Sequence, residues 1–486
     1  MNPVSDLEDS DKRYIWHPFT QMKEWAEGHP VIIEEGEGCF LTDVNGKRYL
    51  DGVSSLWVNI HGHRKKEIND AIKAQLDKIA HSTLLGLSNV PAIQLAERLV
   101  RLLQKSEVSD KLTGETVIPA CRESLFPEGC RTGRHDNKSD AASSLSRVFY
   151  SDNGSTAVEV GLKMAFQYWR QKGAPGKSSF LSLNNAYHGD TIGAVSVGGV
   201  DIFHGVFGPL LFKTFRAPSP YCYRCELGRS HPECGLACLQ VMEEQLRGHH
   251  QEIAAIIIEP LVQAAGGMIV SPPGYLRGVR ELAAEYNVLM IADEVATGFG
   301  RTGAMFACEH ESVVPDIVCI SKGLTGGYLP LAATVASEEV YSAFLGDFRD
   351  LKTFFHGHSY TGNPLGCAAA LACLDIFERE GVIAGLAPKT ELLGKRLDEI
   401  AGLNHVGNVR YRGLMAGLEL VRDKETKEPY DWEEKMGWQV ALKAREKGLL
   451  IRPLGNVIVL MPPLSISLGD LDWMLGVISE SVMEVT

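Results

Sequence analysis

A chain of 486 residues can bury one large core with smaller terminal parts, and its ordinary composition places it among globular proteins. A net charge of -13 speaks against nucleic acid or an anionic membrane surface as a partner and suits a soluble enzyme of small molecules. The acidic, polar start MNPVSDLEDSDKRY has neither the apolar core of a secretory signal nor the Arg-rich character of a transit peptide. No apolar run approaches a membrane span, and 11 cysteines, an odd number, read as reduced thiols, so a cytoplasmic location is expected.

After an irregular start, residues 32–51 read as strands joined at Asn45-Gly46, a strong hairpin signal. Helical periodicity runs over 65–79 and again over 91–103. The stretch 104–147 is polar, carries Pro119, Pro127, Gly129 and Gly133, and holds no period; it reads as a long surface insertion. Between 149 and 319, short apolar strands alternate with amphipathic helices, which implies a mostly parallel sheet covered on both faces. From about 376 onward come a helix, strands near Val409 and Gly417, a helix over 432–447, and the strands LLIRP and VIVLMPP, the pattern of a small α+β domain.

The chemistry concentrates in 288–322. The run VLMI closes on Ala292-Asp293-Glu294, and Ile317-Val-Cys-Ile closes on Ser321-Lys322-Gly323. Two such runs read as neighbouring buried strands whose carboxyl ends present an acid and an amine, at the sheet edge where open α/β folds bind ligands. A lone lysine in a turn is ordinarily a surface residue, and a lone aspartate a cap. Together they are what a pyridoxal phosphate enzyme needs: a carboxylate that keeps a ring nitrogen protonated, and a desolvated lysine able to form an imine.

Three further segments group around that pair. Ser151-Asp-Asn-Gly-Ser-Thr precedes a helix with apolar Val158, Leu162, Ala165 and Trp169, and its glycine and two hydroxyl residues read either as an ordinary N-cap or as a phosphate cup. Asn185-Ala-Tyr-His-Gly-Asp-Thr offers Tyr187 to lie on a cofactor ring and Asp190 to steady it; a packed aromatic at a strand end is the plainer reading. Phe355-His-Gly-His-Ser-Tyr-Thr-Gly-Asn-Pro precedes another helix, and this second cup suggests a site shared with a partner subunit. Cys222, Cys225, Cys234 and Cys238 have C-x2-C and C-x3-C spacing, which suits either a four-thiolate metal site or reduced loop thiols; no metal is expected.

Ile-Trp-His-Pro-Phe-Thr-Gln-Met at 15–22, Asp-Gly-Val-Ser-Ser-Leu-Trp at 51–57, the cup at 151–156, Ala-Tyr-His-Gly-Asp-Thr, Ala-Asp-Glu-Val-Ala-Thr-Gly-Phe-Gly-Arg-Thr-Gly, Ser-Lys-Gly, His-Gly-His-Ser-Tyr-Thr-Gly-Asn-Pro and Ile-Arg-Pro at 451–453 together resemble the class III aminotransferases. The likeness spans nearly the whole chain outside 104–147. It implies a fold type I α/β transferase using pyridoxal 5'-phosphate, a homodimer with active sites at the subunit interface. The expected division is an amino-terminal segment, 1–60, contributing to the small domain and active site; a large cofactor-binding domain, 61–375; and a small carboxyl-terminal domain, 376–486.

On this resemblance Lys322 carries the cofactor and serves as acid and base, Asp293 pairs with the ring nitrogen, Tyr187 stacks with Asp190 beside it, and Gly154 with Ser155 holds the phosphate. His358 and Ser359 would complete the cup from the other subunit. Trp57, Gly357 and Arg452 would line the substrate pocket, Arg452 as a carboxylate clamp. Phe19 and Leu56 also fall on the substrate side, where family members that use S-adenosylmethionine carry Tyr and Trp. WHPFTQM, SSLW and Arg452 direct the expectation to the biotin-pathway branch, which aminates 8-amino-7-oxononanoate with S-adenosylmethionine or lysine as donor. The alternatives are an ω-amine or diamine aminotransferase and an aminomutase of the glutamate-1-semialdehyde type.

Overall fold

The structure, a computed structural model, describes residues 3–112 and 144–486. Strands β1 (Ile33–Glu37), β2 (Phe40–Asp43) and β3 (Arg48–Asp51) form an antiparallel meander. Its second turn sits at Asn45-Gly46 as expected: Gly46 has φ +79°, and Asp43 Oδ1 accepts the Asn45 and Lys47 N–H groups at 2.9 Å each.

Helix α1 (Lys66–Leu76) falls within its expected span, whereas α2 (Val90–Leu112) runs past Leu103 into the expected insertion. Its buried stripe, Leu95, Leu99 and Leu103, ends where the apolar period ends, but no Gly or Pro follows until Gly114, so nothing stops the helix there. Strand β4 (Leu145–Ser151) likewise starts inside the insertion's expected limits. The remainder of that insertion, 113–143, lies outside the described residues.

The central sheet is seven-stranded. With α3 (Gly154–Gln171), β5 (Ser179–Leu183), β6 (Phe215–Ala217), β7 (Ile253–Ile258), β8 (Leu289–Asp293), β9 (Ile317–Ile320) and β10 (Ala332–Ser337), its order is β4-β10-β9-β8-β7-β5-β6. The pairs β8/β9, β8/β7, β5/β7 and β5/β6 are parallel, and β10 runs antiparallel to both neighbours. Every residue of β7, β8 and β9 is buried, which requires cover on both faces. On one face α3 buries Val158, Leu162, Ala165 and Trp169. Gly161 lets it close on the sheet, since a β carbon there would stand 3.2 Å from Cys319 Sγ.

Beyond α4 (Pro364–Arg379) come α5 (Ala387–Ala401), β11 (Val406–Arg412), β12 (Met415–Asp423), α6 (Met436–Glu446), β13 (Leu449–Leu450), β14 (Arg452–Leu454), β15 (Val457–Leu460) and α7 (Leu468–Val485). Strands β11, β12, β15 and β14 lie side by side, antiparallel throughout. The single helix expected over 432–447 is broken: a 3₁₀ turn, Trp432–Glu434, is closed by Glu434 Oε2 accepting the Asp431 N–H at 2.9 Å, and Lys435 at φ +50° separates it from α6. Strand β13 pairs in parallel with β3, so the amino-terminal meander and the carboxyl-terminal part share a sheet. Among the described residues no helix is long and apolar enough to cross a membrane.

His61 ties the meander's continuation to α4. It is 5% exposed, sits edge-on to Phe377 at 4.7 Å, and its Nε2 donates to Cys373 O at 3.1 Å when that nitrogen carries the proton. Burial pushes its pKa down from 6.5 to about 4. The unfolded chain therefore binds a proton below pH 6.5 that the folded one refuses until about pH 4, and stability falls as pH drops through that window. The urea midpoint of the wild type is expected to fall more steeply between those pH values than that of His61→Gln; equal slopes would contradict this assignment.

Candidate active site

The pairing of β8 with β9 sets Asp293 opposite Cys319, so the residues that follow β9, Ser321 and Lys322, arrive at the same sheet edge as the Asp293 carboxylate. Lys322 opens a 3₁₀ turn, Lys322–Thr325, with φ +45°, a conformation rare for a residue with a β carbon. The next residue must be small: a β carbon on Gly323 would stand 2.8 Å from Phe299 Cβ. Lys322 and Asp293 face a cavity of about 690 Å³ whose walls include Trp57, Gly154, Ser155 and Tyr187.

The loss of water around the Lys322 amine lowers its pKa from the usual lysine value; Asp293 and Glu259 oppose the shift and Arg301 adds to it. Its Nζ lies 5.0 Å from the centre of the Trp57 ring. Asp293 is 4% exposed and accepts the Val295 N–H on Oδ1 at 3.1 Å. Its Oδ2 lies 2.7 Å from Nδ1 of buried His188, which donates when protonated there. Glu259 accepts the N–H groups of Tyr187 at 3.0 Å and Ala264 at 2.9 Å. Burial raises Glu259 to about pKa 7; His188 and the two amides lower it, and Asp293 raises it further.

Tyr187 forms a side wall. Its Oη donates to Asp190 Oδ2 at 2.8 Å, and burial together with Asp190 raises its pKa, so the phenol stays neutral. At the other end, Asn153 caps α3 by accepting the Thr156 N–H at 3.1 Å, and the Gly154 and Ser155 amides are left without an acceptor among the described residues. Ser155 Oγ accepts the Thr191 N–H at 3.0 Å. Gly154 is required by contact: a β carbon would come within 2.4 Å of Val295 Cγ1, two residues past Asp293.

A family model, Aminotransferase class-III, matches residues 22–482. The chain belongs to the class III aminotransferases. It is 55% identical over 481 residues to the adenosylmethionine-8-amino-7-oxononanoate aminotransferase of Geobacter sulfurreducens, covering 99% of this chain and 98% of that protein. It superposes on the crystal structure of the enzyme of that name from Methanocaldococcus jannaschii with TM-score 0.87 at 46% identity, covering 99% of each chain. An amine transaminase from an uncultivated Pseudomonas species, solved in its PLP-bound form, matches at TM-score 0.86 and 35% identity, over 97% of this chain and 99% of that one.

A class III aminotransferase is a fold type I enzyme whose cofactor is pyridoxal 5'-phosphate. The residues here fit it. Two unpaired amides at the α3 amino terminus suit a phosphate, the Asp293–His188 pair suits a protonated ring nitrogen, and the Lys322 amine suits the carbonyl carbon.

Of the residues singled out from the sequence, Trp57, Gly154, Ser155, Tyr187, Asp190, Asp293 and Lys322 line this one cavity. The others do not. Phe19 is 55% exposed and packs edge-on against Phe203 at 5.3 Å; Leu56 is 52% exposed. Gly357 and Ser359 are exposed, and half-buried His358 places Nδ1 3.5 Å from Oδ2 of Asp152, a residue on the cavity rim. Arg452 is half-buried on β14.

His188 and Glu259 were missed. Both carried a signal: His188 stands beside Tyr187 in the same motif, and Glu259 closes the apolar run of β7 as Asp293 closes that of β8. Cys222, Cys225, Cys234 and Cys238 line a separate small cavity, and burial raises the Cys238 thiol to about pKa 11. Among the described residues the cysteines are free thiols, and no group of three or more His, Cys, Asp or Glu is arranged to hold a metal.

Replacing Asp293 by Asn removes the charge that faces His188 while keeping the shape. The variant is expected to retain the cofactor's visible absorption and to lose about a hundredfold or more in kcat, the scale of one lost electrostatic partner; near-wild-type turnover would contradict the role given to this carboxylate.

Proposed function

We propose that this class III aminotransferase converts 8-amino-7-oxononanoate to 7,8-diaminononanoate in biotin biosynthesis, with S-adenosylmethionine as amino donor. Full-length likeness to enzymes of that name supports the reading. A further observation that supports it is Arg452, which lies on β14 outside the cavity's lining. Burial alone lowers its pKa, and its guanidinium meets no carboxylate among the described residues. It also sits on the stretch, β13 to β14, that is hydrogen-bonded to the segment bearing Trp57. A half-buried guanidinium without an internal acid is a site for a ligand carboxylate, which the oxononanoate carries at the end of its chain.

Bound pyridoxal 5'-phosphate supplies a carbonyl for the donor's amine and a ring that withdraws electrons from the adjacent carbon. The protein's residues do the rest. Lys322, whose pKa is lowered by desolvation, takes the proton from the donor's α carbon and returns it one position along; with the keto acid it moves the proton in the opposite sense. Asp293, braced by His188, holds positive charge on the ring nitrogen. Tyr187 and Trp57 wall the reacting atoms from water, and Arg452, outside that lining, would fix the keto acid by its carboxylate.

We further propose that the enzyme works as a cytoplasmic homodimer in which His358 and Ser359 reach the partner chain's phosphate. Ser359 is exposed, the buried Nε2 of His358 has no hydrogen-bond partner among the described residues, and large apolar side chains crowd the same stretch: Phe348 is 99% exposed, Leu351 68%, Phe355 74% and Tyr360 59%. Phe19 and Leu56, which lack the hydroxyl and the aromatic face of their family counterparts, bear on the donor, for which lysine is the second candidate.

Product analysis with 8-amino-7-oxononanoate and either S-adenosylmethionine or lysine tests this. Diaminononanoate with S-adenosylmethionine is expected; product with lysine alone would shift the donor, and none with either would overturn the assignment. Arg452→Ala should raise KM for the keto acid about thirtyfold, roughly 2 kcal/mol for a lost charge-assisted contact; an unchanged KM would rule out Arg452 as the carboxylate's partner.

A further inference from the structure

Residues 54–57, Ser-Ser-Leu-Trp, form one left-handed turn: φ is +52°, +48°, +72° and +71° in succession. The turn closes with the Trp57 N–H on Val53 O at 2.7 Å and the Val58 N–H on Ser54 O at 3.0 Å. Residues with a β carbon visit this region singly; four together, none of them glycine, need a surrounding structure that holds them there. The outcome bears on the site, because Trp57 becomes 8% exposed with its ring 5.0 Å from Lys322 Nζ, while Leu56 is turned out to 52% exposure.

The holding group is Asp51, itself 1% exposed. Its Oδ1 accepts the Ser55 N–H at 2.9 Å, and its Oδ2 accepts the Ser55 hydroxyl at 2.8 Å and faces His63 Nε2 at 3.0 Å. Asp51 is anchored from behind. Its own N–H donates to Cys39 O at 2.8 Å, and the next amide, of Gly52, donates to Leu450 O at 2.9 Å. His63 is fixed by a two-way backbone bridge to Gly38, at 2.7 and 3.1 Å. The far side of the turn is tied by Ser54 Oγ donating to Met461 O at 2.7 Å.

We propose that Asp51 is a positioning residue of the active site: with Ser55 and His63 it keeps the 54–57 turn left-handed and so aims Trp57 at the Lys322 amine. Asp51 does not line the cavity; it acts through the turn. The proposal rests on Trp57 being a wall of the substrate pocket, but not on which keto acid is used.

The test is the donor half-reaction of the holoenzyme, followed in single turnovers at the cofactor's visible absorption with S-adenosylmethionine or lysine, whichever the wild type accepts. Asp51→Ala is expected to raise the donor concentration for half-maximal rate tenfold or more with the cofactor still bound. Asp51→Asn, whose amide oxygen can still accept the Ser55 N–H, should stay within about threefold of wild type. Trp57→Ala should match the effect of Asp51→Ala, and the double variant should add nothing further, because both changes remove the same wall.

An unchanged half-saturation in Asp51→Ala, or effects that multiply in the double variant, would overturn the proposal. If Asp51→Ala loses its cofactor, Ser55→Ala carries the same test: a rise of threefold or more that does not multiply with Trp57→Ala supports the proposal, and no rise overturns it. A wild type that reacts with neither donor would instead count against the aminotransferase donors assigned above, a result separable from any change in Asp51→Ala.

Discussion

Parallel strands β8 and β9 lie in register with Asp293 opposite Cys319, and the active site depends on that pairing. A parallel pair cannot be closed by a tight hairpin, so the chain must cross over between them. The crossover and the helices on the faces bury both strands completely. Two polar residues at the ends of such strands emerge together at one edge of a water-poor core. The same burial that pins the Asp293 carboxylate against His188 strips water from the Lys322 amine, so one constraint sets the geometry of the pair and lowers the pKa of the lysine.

The other parts of the site attach to this edge. Gly154 brings the α3 amino terminus against Val295, two residues beyond Asp293, and β7 delivers Glu259 next to the β8 end. The amino-terminal meander, docked on β13, carries Trp57 in over the lysine. The site carries backbone strain of its own: Lys322 and the 54–57 turn all have positive φ without being glycine, as do positions away from it such as Lys427 and Lys435.

How far the sequence could be read follows the same physics. Asp293 and Lys322 were legible because apolar strand runs closing on polar residues mark a sheet edge, and Gly154-Ser155 because a capped helix start leaves open amides. Trp57 was legible as a pocket residue only through family likeness. Its left-handed turn was not, since Ser, Ser, Leu and Trp have no preference for positive φ and the conformation is imposed by Asp51 and by strands far away in sequence. The expected 432–447 helix is broken locally, by the 3₁₀ turn that Glu434 closes on the Asp431 N–H and by Lys435 at φ +50°. The end of α2 was misplaced because loss of apolar period marks where burial stops, not where helical hydrogen bonding stops. Glu259 and His188 were passed over although the strand-end argument used for Asp293 applies equally to Glu259.

We propose that the Lys322 amine, set beside Asp293 by the β8–β9 pairing, is the one that bonds the cofactor. Borohydride reduction of the holoenzyme followed by peptide mass mapping tests it directly. A phosphopyridoxyl group is expected on the peptide containing Lys322. The same group on another lysine, such as buried Lys177, or on none, would contradict it.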